Sequence, residues 1–246
     1  MFVLSITLFS SLTRAQFIPV PTDARRAAMG GVTMEYGRDS LRIVGIGHRQ
    51  GYLMSGMATR SLHICWPVGR VGEAKARYLH FGDADYHEQQ LAGAYRMQLS
   101  RAMIVGVGAR YCFWGTSDVR YEPHHWLAFS VLACWSVSSR VCFATQLGSR
   151  PWDAGRPWNM HLGMQYCTGG GLATLLEVES EEAWRFRAGV EYCYAQRYLF
   201  RCGLATRPLS LTFGMGFHLR NWSLDLSVEN YQPLGLTPQI SAALCF

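Results

Sequence analysis

Lysine is almost missing from this 246-residue chain: among its 23 basic residues only Lys75 is not arginine. Charge of either sign is thin, with 16% Asp, Glu, Lys and Arg against about 25% in an ordinary soluble domain. Past the N-terminus no apolar run approaches the ~18–20 residues that a spanning helix needs, which excludes a helical membrane protein. No Cys-x-x-Cys pair and no Cys/His ligand spacing occurs, so a zinc site is not expected, nor is any cofactor. The net charge of +6 comes from arginines that are dispersed rather than clustered, and nucleic acid is not an expected partner. What is present is 49% apolar residues, 13% aromatics and 25 glycines, with a mean hydropathy of only +0.02. That apolar content excludes disorder.

Residues Met1 to Leu12 are almost wholly apolar or small, and Thr13-Arg14-Ala15 precedes Gln16. Small residues at −3 and −1 fit a secretory signal peptide cleaved after Ala15, although the positive n-region is missing; a buried first strand is the alternative. Export permits disulfides. The eight cysteines (65, 112, 134, 142, 167, 193, 202 and 245) nevertheless stand singly among apolar neighbours, and read as small hydrophobes within strands; one or two disulfides stay open. In FIPVPTDARRAAMGG the prolines preclude a regular strand. Asp23 caps one helical turn, Ala24 to Met29, stopped by Gly30-Gly31.

From Ser40 onward the dominant period is two. Trp184, Phe186, Ala188, Val190 and Tyr192 share one face; Arg185, Arg187, Gly189, Glu191 and Cys193 share the other. The stretches 211–220, 222–230 and 239–246 repeat the pattern. About 14 such segments occur, at 40–48, 56–67, 71–81, 86–98, 102–114, 124–136, 140–148, 158–167, 171–179, 184–195, 198–206, 209–219, 222–231 and 238–246. The first and ninth are weakest, leaving 12 as the fallback count. No helical crossover separates them, so the sheet is an antiparallel meander. One set of connections is tight, as at 98–101 and Arg220-Asn221. The other includes the long Gly115–His124, Ser149–Trp158 and Gln232–Thr237. Short turns at one end and longer loops at the other mark an outer-membrane barrel. Apolar rows with aromatic ends, and segments near the ~9–11 residues of a membrane strand, favour the same all-β reading over a soluble lipocalin-like barrel. The expected organisation is a signal peptide at 1–15, a plug or hatch segment at 16–39, and a transmembrane antiparallel β-barrel at 40–246.

Three stretches carry a family resemblance. Ala24-Arg25-Arg26-Ala27-Ala28-Met29-Gly30-Gly31 is similar to an A-R-A-x-x-M-G-G opening. Phe81 to Gln89 resembles an F-G-x-x-x-Y-x-E passage, and Leu234 to Phe246 resembles a closing L-G-x-T-P-Q-x-S strand. Together they resemble PorV/PorQ-like outer-membrane barrels, related to the FadL fatty-acid transporter group. The resemblance implies about 14 strands with an N-terminal segment tucked into the lumen. It also implies either passage of small hydrophobic or amphipathic molecules, or an accessory role in a secretion complex of type IX kind.

The polar rows place Glu73, Lys75, Arg77, Arg96, Arg110, Arg185, Arg187, Glu191, Arg220, Asp225 and Glu229 on the lumen face. Charges on opposing strands pairing across a narrow lumen would close it; an arginine-lined passage selecting anionic or amphipathic solutes is the other reading. Gly106, Gly108, Gly214 and Gly216 make room for a plug or ligand, or mark strand curvature. Ala24, Arg25, Arg26, Met29, Gly30 and Gly31 form the expected plug. Asp83, Asp85, His87, His124 and His125 fall near the long-loop rim. No Ser or Asp there has a recognisable catalytic spacing, so no catalytic residue and no enzyme is expected. Ile240, Leu244 and Phe246 resemble the C-terminal signal read by the barrel-assembly machinery. Expected partners are that machinery, outer-membrane lipid of a Gram-negative envelope, a hydrophobic small molecule, and a secretion complex on the second reading.

Overall fold

The computed structural model describes residues 21–37, 41–118, 122–149, 158–180 and 183–246. The expected signal peptide lies outside the described residues. Alternating apolar and polar side chains suit a ladder with two unlike faces, and fourteen antiparallel strands form among the described residues. They are β1 (Ile43–Gln50), β2 (Ala58–Val68), β3 (Gly72–Gly82), β4 (Tyr86–Gln98), β5 (Met103–Thr116), β6 (His124–Ser136), β7 (Val141–Ser149), β8 (Trp158–Cys167), β9 (Leu172–Ser180), β10 (Trp184–Tyr194), β11 (Tyr198–Ala205), β12 (Ser210–Leu219), β13 (Trp222–Tyr231) and β14 (Gly235–Cys245). Each pairs with its neighbours in sequence, and β1 pairs with β14, for instance Ile46 opposite Ala242, closing the barrel. Closure leaves no strand edge unpaired, the condition for a sheet in lipid. The count is 14 and not the fallback 12; β1 and β9, the weakest in sequence, both form.

The two faces are inverted relative to a soluble protein. Val107, Phe129, Val131, Trp135 and Phe213 stand 57–61% exposed on the outside, while Glu73, Arg96, Glu179 and Arg201 are at most 4% exposed within. An apolar coat around a polar interior is the arrangement of a membrane barrel.

The expected loop Gln232–Thr237 shrinks to residues 232–234, because β14 begins at Gly235, whose φ is +99°. Pro238, the expected first residue of the last strand, lies inside β14 and stands opposite Val228 of β13. The β1 ladder extends only to Gln239, so at Pro238 the strand is paired on one side and the missing N–H is tolerated. No disulfide joins any two of the eight cysteines; Cys65, Cys112 and Cys134 are buried against the interior.

Ahead of β1 runs the inner segment, residues 21–37, which lies within the barrel. Its helix α1 (Ala24–Ala28) ends one residue before the expected Met29, and the Asp23 carboxylate accepts the Arg26 N–H at 2.8 Å, a capping bond.

Candidate functional site

The inner segment sits where the wall has lost its side chains. A Cβ added at Gly189 would fall 2.5 Å from Met29 Cβ, at Gly203 2.1 Å from Gly30 N, and at Gly214 2.4 Å from Ala28 Cβ. These glycines of β10, β11 and β12 form a cradle. Gly30 meets it with φ +76°, and a Cβ there would strike the carbonyl oxygens of Leu204 and Ala188 at 2.6 and 2.9 Å, so only glycine fits. Hydrogen bonds fix the seat: Ala24 N–H donates to Ser241 Oγ at 3.0 Å and Gly30 N–H to Thr212 Oγ1 at 2.9 Å, and the Thr212 hydroxyl donates to Ala28 O at 2.8 Å. Further along, the Glu177 carboxylate accepts the N–H groups of Thr33 and Met34 at 2.9 and 2.7 Å. Met29, Val32, Met34 and Tyr36 bury against Cys134, Ala144 and Leu175.

Three ionic groups surround this segment. In the first, wholly buried Arg201 binds Glu191 and Asp225, each at 2.6 Å, and Arg25 of α1 binds Glu191 at 2.8 Å. In the second, Glu35 of the inner segment holds Arg26, Lys75 and Arg96, the last at 2.9 Å, and Lys75 also reaches Glu73 at 2.7 Å. In the third, Glu179 holds Arg187 at 2.7 Å, with His161 at 3.3 Å and Arg185 at 3.7 Å. Burial alone would raise the Glu35 carboxyl, but the charges of Arg26, Lys75 and Arg96 outweigh it and hold the group well below the usual carboxylate range.

The sequence expectation of charges pairing across the lumen is corrected here. Glu191 and Arg201, Glu73 and Arg96, and Glu179 and Arg185 are directly opposite on adjacent strands, which is the nearest cross-strand distance available. Other pairs run to the inner segment, and Glu229 reaches Arg49 at 2.7 Å. Arg220 is exposed in the β12–β13 turn at the short-turn end. Arg77 and Arg110 face the interior and have no ion pair or hydrogen bond among the described residues. The sequence reading did not single out Glu35, Arg49, Glu177, Glu179 or Arg201. The parity of the flanking strand positions would have found Arg201; nothing in the sequence marks Glu35.

Of the four lumen glycines named from sequence, only Gly214 touches the inner segment. A Cβ at Gly216 would meet Asp225 at 2.5 Å and Arg201 at 2.7 Å, and one at Gly106 would meet the Arg96 side chain at 2.9 Å; these two clear space for buried guanidinium groups. At the rim, Asp83 accepts the N–H groups of Asp85 and Tyr86 at 3.0 and 3.2 Å and so shapes its own turn. His87 stacks with His80 and tilts on Phe113, and His125 stacks on Tyr111. His124 packs on Trp114. Asp85 accepts the Ser117 hydroxyl at 3.2 Å, and its carbonyl accepts the Thr116 hydroxyl at 2.8 Å. At the other end Phe246 exchanges backbone bonds with Arg42 at 3.0 and 3.1 Å and its ring meets Trp66 edge-on, while Ile240 faces outward.

The inner segment fills only part of the interior. A cavity of about 2100 Å³ remains, bounded by β2–β6 on the side away from the cradle. Its wall there carries small residues (Ala92, Ala94, Gly108, Ala128, Ser130), with Trp114, His124 and Trp126 nearer the long-loop end.

A closed 14-stranded meander with an apolar exterior, an ionic interior and an inward-folded N-terminal segment defines a barrel of the outer-membrane type. Its fold is shared with solved channels. The "CymD monoaromatic hydrocarbon channel" superposes with a TM-score of 0.71 at 10% identity, over 94% of this chain and 99% of that one. The Pseudomonas putida toluene transporter TodX gives 0.69 at 8% identity, over 92% and 97%, and a Pseudomonas aeruginosa FadL homologue 0.67 at 8%, over 91% and 98%. No family model and no curated protein matches the sequence.

Proposed function

We propose that this protein is an outer-membrane, FadL-like passage barrel of a Gram-negative bacterium that admits small hydrophobic or amphipathic molecules. The inner segment 21–37 serves as the plug whose displacement opens the path. The observation carrying this reading is the cavity of about 2100 Å³ left beside a segment that fills only part of the interior. The FadL-type fold neighbours, two of them named for monoaromatic hydrocarbons or toluene, point the same way. Residues 1–15 act as the cleaved leader on this reading, and Ile240, Leu244 and Phe246 as the assembly signal. The PorV/PorQ side of the resemblance rests on Ala24–Gly31, Phe81–Gln89 and Leu234–Phe246 together. Isolation of the chain with a larger envelope complex would favour an accessory secretion role instead.

Uptake of labelled toluene tests the passage reading, comparing cells that express the chain, cells that do not, and cells expressing a variant without Ala24–Gly31. The expected order is fastest in the deletion variant and slowest without the chain. Equal uptake in all three overturns it.

A further inference from the structure

We infer that the interior wall formed by β3–β5 is a binding site for the doubly charged oxyanion head of an amphipathic molecule, a phosphate monoester by chemistry. This names the ligand class of the same interior and so rests on the passage reading.

One inward-facing row of the ladder runs His63, Arg77, Ala92, Arg110, Ala128 across β2 to β6. Strands lie about 4.8 Å apart, so the two arginines are rooted roughly 10 Å from each other, with only the Ala92 methyl between. Both are half-buried, line the cavity, and have no acidic partner among the described residues. Elsewhere in the interior Arg25, Arg49, Arg96, Arg187 and Arg201 are each ion-paired. Glu35 and Asp23 act on Arg77 from beyond contact distance, but neither guanidinium makes an ion pair or hydrogen bond among the described residues; such a group in a partly desolvated lumen gains from an anion brought to it, and both forks suit tetrahedral oxyanions.

His63 adds a third group. Its ring lies across Gly45, where a Cβ would come within 2.2 Å of the imidazole, and its Nδ1 is buried without a hydrogen-bond partner. The ladder above this row, toward the long-loop end, carries Cys112 and Trp126 and then Trp114 and His124. An aromatic or alkyl body lying there would place its anionic head at the arginine row. Two guanidinium forks without a hydrogen bond offer more donors than one carboxylate can accept, which favours a three-oxygen, doubly charged head.

Titration calorimetry on the full, detergent-solubilised chain tests this with phenyl phosphate, a dianion above pH ~6, against benzyl alcohol and inorganic phosphate. Phenyl phosphate is expected to bind tightest and benzyl alcohol weakest. Arg77→Gln and Arg110→Gln should each weaken phenyl phosphate by about tenfold or more, with Arg77→Lys recovering part of the loss. Retained heat-modifiable gel migration checks that each variant is folded. Equal binding of phenyl phosphate by wild type and both glutamine variants overturns the site, as does benzyl alcohol binding as tightly as phenyl phosphate. Inorganic phosphate binding as tightly as phenyl phosphate overturns the amphipath and leaves a site for the free ion. Uptake of labelled toluene is read separately: arginine-dependent binding with no uptake overturns the passage reading alone, and uptake with arginine-independent binding overturns the site alone.

Discussion

On β10 to β13 the interior wall is matched to what lies against it. Glycine replaces side chains where α1 rests, the Thr212 and Ser241 hydroxyls meet backbone groups, and Arg201 divides itself between two carboxylates. On β3 to β5, across the cavity, Lys75 and Arg96 still reach Glu35 of the inner segment, but beyond them the wall has small residues facing open space and two arginines that make no ion pair among the described residues. The same ladder geometry and the same residue types build both. The difference lies in who satisfies the polar groups: on one side another part of the chain, on the other side something that arrives from outside. A paired buried charge resists removal because its partner is left stranded, whereas an unpaired one leaves no orphan behind.

Breaking the matched side should therefore cost far more than altering the open one. Arg201→Leu strands Asp225 and leaves Glu191 with Arg25 alone, and is expected to destabilise the barrel by about 3–5 kcal/mol, read as a lowered midpoint in denaturant. Gly203→Ala pushes a methyl into the Gly30 backbone. It should cost about 1–3 kcal/mol and expose the Arg25 and Arg26 peptide bonds to trypsin, which the wild type protects. Arg77→Gln, on the open side, should shift stability by no more than about 0.5 kcal/mol; a loss like that of Arg201→Leu would erase the contrast between the walls.

The smallest effect concerns acid. Glu35 is held below its unfolded value, so its stabilisation is present above the ordinary carboxylate pKa of about 4.3 and is lost as the pH falls through the lower folded value. The melting-temperature difference between wild type and Glu35→Gln should stay constant from pH 7 to about 5 and narrow only below about 4. Narrowing already at pH 6 would mean that the three cations do not hold this carboxylate.

The strands were legible because a period of two survives any local detail, and because inverted polarity shows which row faces lipid. The start of β14 was not, since residues 235–237 ahead of Pro238 extend the strand by pairing with β13 alone, where β1 has already stopped. Among the lumen charges, parity alone identifies candidates such as Asp225 and Glu191. Their partners depend on register, which a single strand does not reveal. The role of Glu35 depends on where a non-repeating segment comes to rest, and no pattern encodes that. The cradle glycines illustrate the same limit: Gly189 and Gly203 look like ordinary strand glycines until the segment they accommodate is known.

The seating of α1 has a consequence for the order of events in assembly. Ala24 is hydrogen-bonded to Ser241 and Gly30 to Thr212, partners separated by 217 and 182 positions in the chain. The seam between β1 and β14 is likewise a contact between distant parts of the sequence. Such long loops close late and slowly. The seat for α1 is built from β10 to β14, so its last contact, Ala24 with Ser241, waits for the final strand. The inner segment and the final strand are thus joined in time as well as in space.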